Sequence, residues 1–170
     1  LKKGGDEREF TIASSPTEED LMITTRFGIS NFKKYLANLK PGGLIESGPP
    51  SGTYTLDTKT PAVMLAGGIG ITPMRSMIKY AVDQKLDLSI TLIYSNSDSD
   101  FIYKKGLDEW QKHYPKFTIH YVVTSKDGRL DETKLATIVG NFVNTIFYLA
   151  GPPRMVDDFE NALLKMGIDS

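Results

Sequence analysis

From residue 60 onward, short unbroken apolar runs alternate with stretches in which apolar residues recur every three or four positions. The runs at 62–66, 88–94, 117–123 and 145–150 predict strands, the first of them buried on both faces. The stretches between and after them predict helices over about 73–84, 103–113, 131–139 and 153–165. In the first of these, Ile71, Met74, Ile78, Ala81 and Val82 form one apolar stripe. This alternation predicts an α/β fold, a parallel doubly wound sheet with helices on both faces.

Before residue 57 the texture differs. Residues 1–7 read as a loop or a cut end. Residues 8–15 and 21–26 read as short strands, separated by Pro16 and the acidic run Glu18-Glu19-Asp20. Gly28 turns the chain, and Ser30 or Asn31 can cap a short helix whose buried side is Phe32, Tyr35, Leu36 and Leu39. Two more short strands are expected near 44–47 and 53–56, set among Gly/Pro turns. The pattern is that of antiparallel β structure, and the boundary between the two textures falls at 57–60.

Composition narrows the chemistry. A chain of 170 residues with 40% hydrophobic and 24% charged residues can bury a sizeable core. The formal net charge of −1 argues against nucleic acid or an anionic membrane as the main partner. With no cysteine there is no disulfide, thiol nucleophile or Cys-ligated metal cluster on this chain. Two scattered histidines, His113 and His120, argue against a His-based metal site. No apolar run is long enough to span a bilayer, and the expectation is a soluble cytoplasmic protein.

The candidate chemistry is concentrated where the predicted strands end. The run at 62–66 leads into Gly67-Gly68-Ile69-Gly70 and then Thr72-Pro73, where Thr is expected to cap the next helix and Pro to occupy its first position. Strand, glycine turn and helix N-terminus together make a phosphate cradle, because absent Cβ atoms admit the ligand and free N–H groups meet its charge. On these residues alone, a nucleotide site and a merely tight turn both stand, since Pro73 replaces the third glycine of G-x-G-x-x-G. The other strand ends carry Ser95-Asn96-Ser97, Thr124-Ser125 and Gly151-Pro152-Pro153. Arg8 reads equally as a solvated strand-edge charge, Phe10 as a core aromatic, Ser30-Asn31 as a helix cap and Gly151-Pro152-Pro153 as a turn. The carboxylates Asp98, Asp100, Asp157, Asp158 and Glu160 read as solvated surface.

Three ordered motifs resemble the ferredoxin–NADP⁺ reductase family, which joins an FAD-binding barrel to a nicotinamide-nucleotide domain. Arg8-x-Phe10-Thr11-x-x-Ser14 resembles its R-x-[YF]-[ST]-x-x-[ST] flavin motif. Gly68-x-Gly70-x-x-Pro73 matches its G-x-G-x-x-P pyrophosphate loop. Ala150-Gly151-Pro152-Pro153 is similar to its late C-G-P segment, with Ala150 in place of cysteine. The resemblance implies part of an antiparallel FAD-binding β-barrel over 1–58 and an NAD(P)-binding α/β domain over 59–170. It implies that Arg8 pairs with the FAD pyrophosphate, that Phe10 lies against the isoalloxazine, and that Thr11 offers its hydroxyl near flavin N5 as the catalytic contact. Ser14 completes that motif. Gly28, Ser30 and Asn31 would meet the FAD phosphates; Gly67, Gly68, Ile69, Gly70, Thr72 and Pro73 would hold the dinucleotide. Ser95 and Asn96 would lie beside the adenosine ribose, and Ala150, Gly151 and Pro152 would border the nicotinamide.

The family's barrel has strands before the Arg8 motif and a final strand after the last helix, so the resemblance implies a chain truncated at both ends or completed by another chain. Open barrel edges would invite self-association. The implied activity is hydride transfer from NAD(P)H to FAD, then single-electron delivery to a separate acceptor protein or oxygenase component. NADH is favoured over NADPH, because Ser95-Asn96-Ser97-Asp98-Ser99-Asp100 offers carboxylates and no cation before Lys104. Lys126 or Arg129 would have to swing in to reverse that preference. Gly70→Val is expected to abolish dinucleotide binding and leave the fold intact. Two alternatives are a dinucleotide-binding regulatory or sensing module without turnover, and a structural fragment whose glycine loop is only a turn.

Overall fold

A computed structural model describes residues 2–3, 6–140 and 143–168. Its centre is a four-stranded parallel sheet in the order β5-β4-β3-β6. The strands are β3 (Ala62–Gly67), β4 (Ile90–Asn96), β5 (Phe117–Val123) and β6 (Ile146–Ala150). The chain winds from β3 outward to β4 and β5, then returns to place β6 on the other side of β3. The strand order therefore reverses between β3 and β6, and a crevice opens there at the carboxyl ends.

The period-two alternation of strand side chains divides two cores. Ala62, Met64 and Ala66 of β3 face α2 (Ile71–Asp83) and α3 (Lys104–His113) together with Ile90, Leu92 and Tyr94. Val63 and Leu65 face α5 (Glu132–Val139) and α6 (Pro153–Lys165), with Leu135, Phe159 and Leu163 packed against them. The expected strands and helices of this half are all present, within about two residues at each end, and one unexpected helical turn, α4 (Thr124–Asp127), follows β5. Helix α2 begins earlier than expected, at Ile71, with Gly70 as its cap residue. Thr72 is thus inside the helix and does not cap it; its hydroxyl donates to the Ile69 carbonyl at 2.7 Å. Pro73 sits in the first turn, where a missing N–H costs nothing. Strand β4 begins at Ile90 because the preceding Leu88 is tied instead to the Tyr114 hydroxyl, which donates to its carbonyl at 2.6 Å.

The first 60 residues depart more from expectation. Lys2–Lys3 (β1) and Asp6–Glu7 (β2) form a short antiparallel pair where a loop is expected; Leu1, Gly4 and Gly5 lie outside the described residues. The expected strands over 8–15 and 21–26 contribute a single antiparallel bridge, Ile12 to Ile23. Over 44–47 and 53–56 no ladder is assigned among the described residues. A strand exists only when a neighbour takes its N–H and C=O groups; here the Leu44 carbonyl accepts from the Tyr35 hydroxyl at 3.1 Å and Glu46 lies in an isolated bridge. Helix α1 (Asn31–Asn38) does form, capped by Ser30, whose hydroxyl accepts from the Lys33 N–H at 3.3 Å, and it buries Phe32.

Side-chain contacts fasten this segment to the α2–α3 face. The Arg75 guanidinium donates to the Ala13 carbonyl at 2.9 Å and to both oxygens of Glu18. The Ser76 hydroxyl donates to the Ser14 carbonyl at 2.7 Å. Thr24 and Tyr103 share a hydroxyl–hydroxyl contact. Further along, the Tyr148 hydroxyl accepts from the Asp57 N–H at 2.7 Å. Among the described residues, no helix is long and apolar enough to cross a membrane.

Candidate functional site

A cavity of about 410 Å³ lies between the N-terminal segment and the carboxyl ends of β3 and β6. Its size is within the range of small-molecule sites, roughly 300–1,000 Å³. One wall is Arg8, Glu9, Phe10, Thr11, Thr24, Thr25, Ser30 and Lys33; the other is Ile69, Gly70, Thr72, Pro73, Ala150 and Gly151. Ten residues expected from the sequence to bind cofactor therefore meet across one space, drawn from three segments far apart in the chain. Phe10 lines the cavity and also stacks on Phe32, with centroids 5.7 Å apart and rings inclined by 29°. It is both a core aromatic and a wall of the site.

The loop after β3 runs through a single 3-10 turn, Gly68–Gly70, into α2. No side chain caps α2 and no acidic residue occupies its first turn, so its positive end can meet an anion, although the Ile71 N–H is already bonded to the Gly68 and Ile69 carbonyls. Gly68 has φ +53, a conformation that favours glycine. Its carbonyl accepts from the Tyr94 hydroxyl at 3.0 Å. Burial pushes that phenol up to about 12, so it is a proton donor throughout the ordinary pH range. The loop is thus pinned from beneath, through the end of β4.

Gly70 corrects one expectation. Its missing side chain faces the chain itself: a Cβ there would collide with the Ala150 carbonyl and come within 2.7 Å of the Gly151 nitrogen. Gly67 and Gly151 likewise pack against each other and against Met155. These glycines let the β3 and β6 loops touch at the reversal point. Gly70→Val would consequently disturb the backbone of β6 as well as any ligand, so the fold is not expected to stay intact.

Eight expected residues lie outside the cavity wall. Ser14 is buried, and its hydroxyl accepts from the Met22 N–H at 2.9 Å, which ties it into the N-terminal segment. Gly28 is exposed with the Lys33 side chain beside it, and Asn31 is exposed at the start of α1. Gly67 and Gly68 are buried in the loop, and Pro152 caps α6. Ser95 is buried at the end of β4, while the Asn96 amide donates to the Asp98 carboxylate at 3.3 Å and the Asp100 carbonyl at 2.9 Å. Lys104, the first cation after β4, is engaged with Asp108 at 2.7 Å and lies 4.0 Å from the Tyr121 ring centroid.

Sequence reading missed Lys33, Thr24, Thr25 and Glu9 on the cavity wall, and Arg26, whose guanidinium lies over Gly68. A basic residue on a short strand carries no signal of its own. Only the docking of that strand reveals what it faces.

Residues 64–161 match a family described as the oxidoreductase NAD-binding domain. The chain is 27% identical over 177 residues to reductase component 1 of terephthalate 1,2-dioxygenase from a Comamonas species, over 96% of this chain and 52% of that protein. It is 30% identical over 185 residues to NADH-cytochrome b5 reductase 1 of Scheffersomyces stipitis, over 96% of this chain and 64% of that protein. The chain thus spans about half to two thirds of the length of these relatives. Its fold is similar to the flavohem-like FAD/NAD-binding domain of nitric oxide dioxygenase from Vibrio cholerae O1 biovar El Tor. That likeness has a TM-score of 0.78 at 17% identity, over 96% of this chain and 73% of that one.

Proposed function

This chain belongs to the oxidoreductase NAD-binding domain family, and from that premise we propose that it acts in a flavin-dependent NADH reductase. In this reading residues 1–58 contribute to FAD binding and 59–170 bind the nicotinamide dinucleotide. The observation that carries the proposal is the single cavity in which Arg8, Phe10 and Thr11 face Gly70, Thr72, Ala150 and Gly151.

The two cofactors, when bound, supply the hydride donor and the electron acceptor; the protein's part is positioning. Arg8 suits phosphate oxygens, since a guanidinium presents paired donors. Phe10, fixed by its stack on Phe32, offers a flat apolar wall for a ring. The Thr11 hydroxyl supplies a hydrogen bond beside that ring, and Ala150 and Gly151 leave room for a second ring above it. The uncapped start of α2 and the glycine turn would receive the dinucleotide pyrophosphate. NADH is favoured because Asp98 and Asp100 stand near Asn96, and Lys104 is occupied with Asp108. Electrons would leave to a separate acceptor protein or an oxygenase component, as the names of the relatives suggest.

The test is a visible absorption spectrum of the protein with FAD supplied, repeated without oxygen after adding NADH or NADPH. A bound flavin spectrum that bleaches, faster with NADH, is the expected result. A colourless protein that still binds NADH would replace this reading with a dinucleotide-sensing module.

A further inference from the structure

We propose that Met155 is an oxidation site that couples hydrogen peroxide to dinucleotide affinity. Conversion of its thioether to the sulfoxide would part the two loops that meet at the reversal point of the sheet. The consequence for affinity rests on the dinucleotide-binding reading of those loops. Met155 lies in the first turn of α6, where its N–H donates to the Pro152 carbonyl at 2.9 Å. From there the side chain reaches back to both loops. A Cβ on Gly67 would overlap the Met155 Sδ and come within 2.7 Å of its Cε, and a Cβ on Gly151 would come within 2.7 Å of the same Cε. The thioether is thus wedged between the last residue of β3 and the first residue after β6, and Gly151 is itself part of the cavity wall.

The other side of Met155 is apolar, packed on the core that contains Val63, Leu65 and Phe159. The side chain is nevertheless partly exposed, whereas Met64, Met74 and Met77 are buried. Met22 and Met166 are partly exposed too, but they stand elsewhere. Met22 belongs to the N-terminal segment, where its Sδ accepts from the Tyr103 hydroxyl at 3.6 Å. Met166 closes the opposite end of α6. Met155 therefore combines access to solvent with contact to both loops.

The oxidant is hydrogen peroxide, formed when two electrons and two protons reach dioxygen in place of a protein acceptor. A sulfur lone pair attacks one peroxide oxygen, and an S–O bond forms as the O–O bond breaks. The second oxygen leaves as water, carrying both protons, so sulfur loses two electrons and the peroxide gains them. The sulfoxide adds a polar oxygen to an apolar side chain. Toward the loops the two glycines leave it no room, and toward the core it meets no donor. The oxygen has to turn to water, which draws the sulfur off Gly67 and Gly151 and lets the Ala150–Gly151 wall move away from Gly70.

The test is peroxide treatment of the protein with FAD supplied, followed by peptide mass mapping and calorimetric titration with NAD⁺, alongside Met155→Leu and Met166→Leu. Each protein is compared with its own untreated sample, and thermal unfolding is followed on all. Trypsin cuts after Arg154 and Lys165, which puts Met155 and Met166 on separate peptides. The expected result is a gain of one oxygen on the Met155 peptide. NAD⁺ affinity should fall by about fivefold in the unmutated chain and in Met166→Leu, but not in Met155→Leu. Methionine sulfoxide reductases acting on the two epimers should restore it. Met155→Gln, polar and of similar length, should lower NAD⁺ affinity without peroxide and remain folded. Full oxidation of Met155 with unaltered affinity would overturn the proposal and leave the reductase reading in place. So would oxidation of Met22 and Met166 with Met155 untouched, or an equal loss in Met155→Leu. An untreated chain that binds no NAD⁺ would instead remove the dinucleotide reading and this consequence together.

Discussion

Arg75 of α2 and Glu18 of the N-terminal segment, 57 residues apart in sequence, form a bidentate ion pair, with Nη2 2.7 Å from Oε1. The guanidinium is also packed between two rings, 5.5 Å from the Tyr103 centroid and 5.4 Å from that of Trp110. Arg75 is 7% exposed, and its Nε has no partner, so nearly all of its satisfaction comes from Glu18 and the Ala13 carbonyl. This contact holds one wall of the cavity against the other.

Removing the carboxylate charge should therefore loosen the N-terminal segment. Glu18→Gln is expected to cost about 1–3 kcal/mol at neutral pH, because a buried guanidinium loses its counter-charge. Arg75 holds the Glu18 carboxyl below the usual glutamate range, chiefly through their hydrogen bond. A lowered folded-state pKa stabilises the fold fully above the unfolded value, and that contribution is lost as pH falls through the folded one. Urea unfolding in a pH series should show the unmutated chain losing stability on the acid side more steeply than Glu18→Gln. Parallel curves for the two proteins would mean the pair contributes nothing.

The glycines make opposite predictions according to what they face. Gly70→Ala should destabilise by about 1–3 kcal/mol through overpacking against the Ala150 backbone, and should weaken NAD⁺ binding with it. Gly48 has open space where a Cβ would go, so Gly48→Ala should be neutral or gain about 0.4–1 kcal/mol from the unfolded state. Thermal unfolding of the two single variants checks both. Equal effects would show that the contact between the β3 and β6 loops is not tight in solution.

Tyr94→Phe keeps the ring in its edge-to-face contact with Phe101, centroids 4.9 Å apart, and deletes only the donor to Gly68. A buried carbonyl left without its partner should cost about 1–3 kcal/mol. NAD⁺ affinity should fall severalfold as the loop loosens, and neither effect should vary between pH 6 and 9, because the phenol stays protonated there. Unfolding midpoints and NAD⁺ titrations at both ends of that range would test it. Unchanged stability would mean that water replaces the phenol.

Nucleotide preference should respond to charge beside Asn96. Ser97→Arg adds a cation there and leaves Asp98 to accept the Asp100 N–H at 2.9 Å. The ratio of kcat/KM for NADPH to that for NADH should rise, and more so with Asp98→Arg added, although that second change also removes a turn contact. An unmoved ratio would place the adenosine ribose elsewhere.

The local pattern of the chain determined the nucleotide domain. Its strands are marked by short apolar runs and its four longer helices by periodicity, while the one-turn helix Thr124–Asp127 left no such signal; a glycine turn between an apolar run and a helix start is a short-range signal. The sheet order then follows from right-handed crossovers and brings the β3 and β6 loops together at the reversal point. Tertiary structure decided what the alternating segments before residue 57 became. Alternation marks which face of a strand is apolar, but a ladder requires successive partners at hydrogen-bonding distance, and 8–26 forms one isolated bridge, Ile12 with Ile23, in which the Ala13 N–H donates to the Met22 carbonyl at 2.7 Å. It also decided the contacts that give the cavity its shape: Glu18 with Arg75, Gly70 with Ala150, Arg26 over Gly68. None of these pairs is near in sequence, and charge or size at one position says nothing about the other until packing of the segment on α2 and α3 brings them within reach.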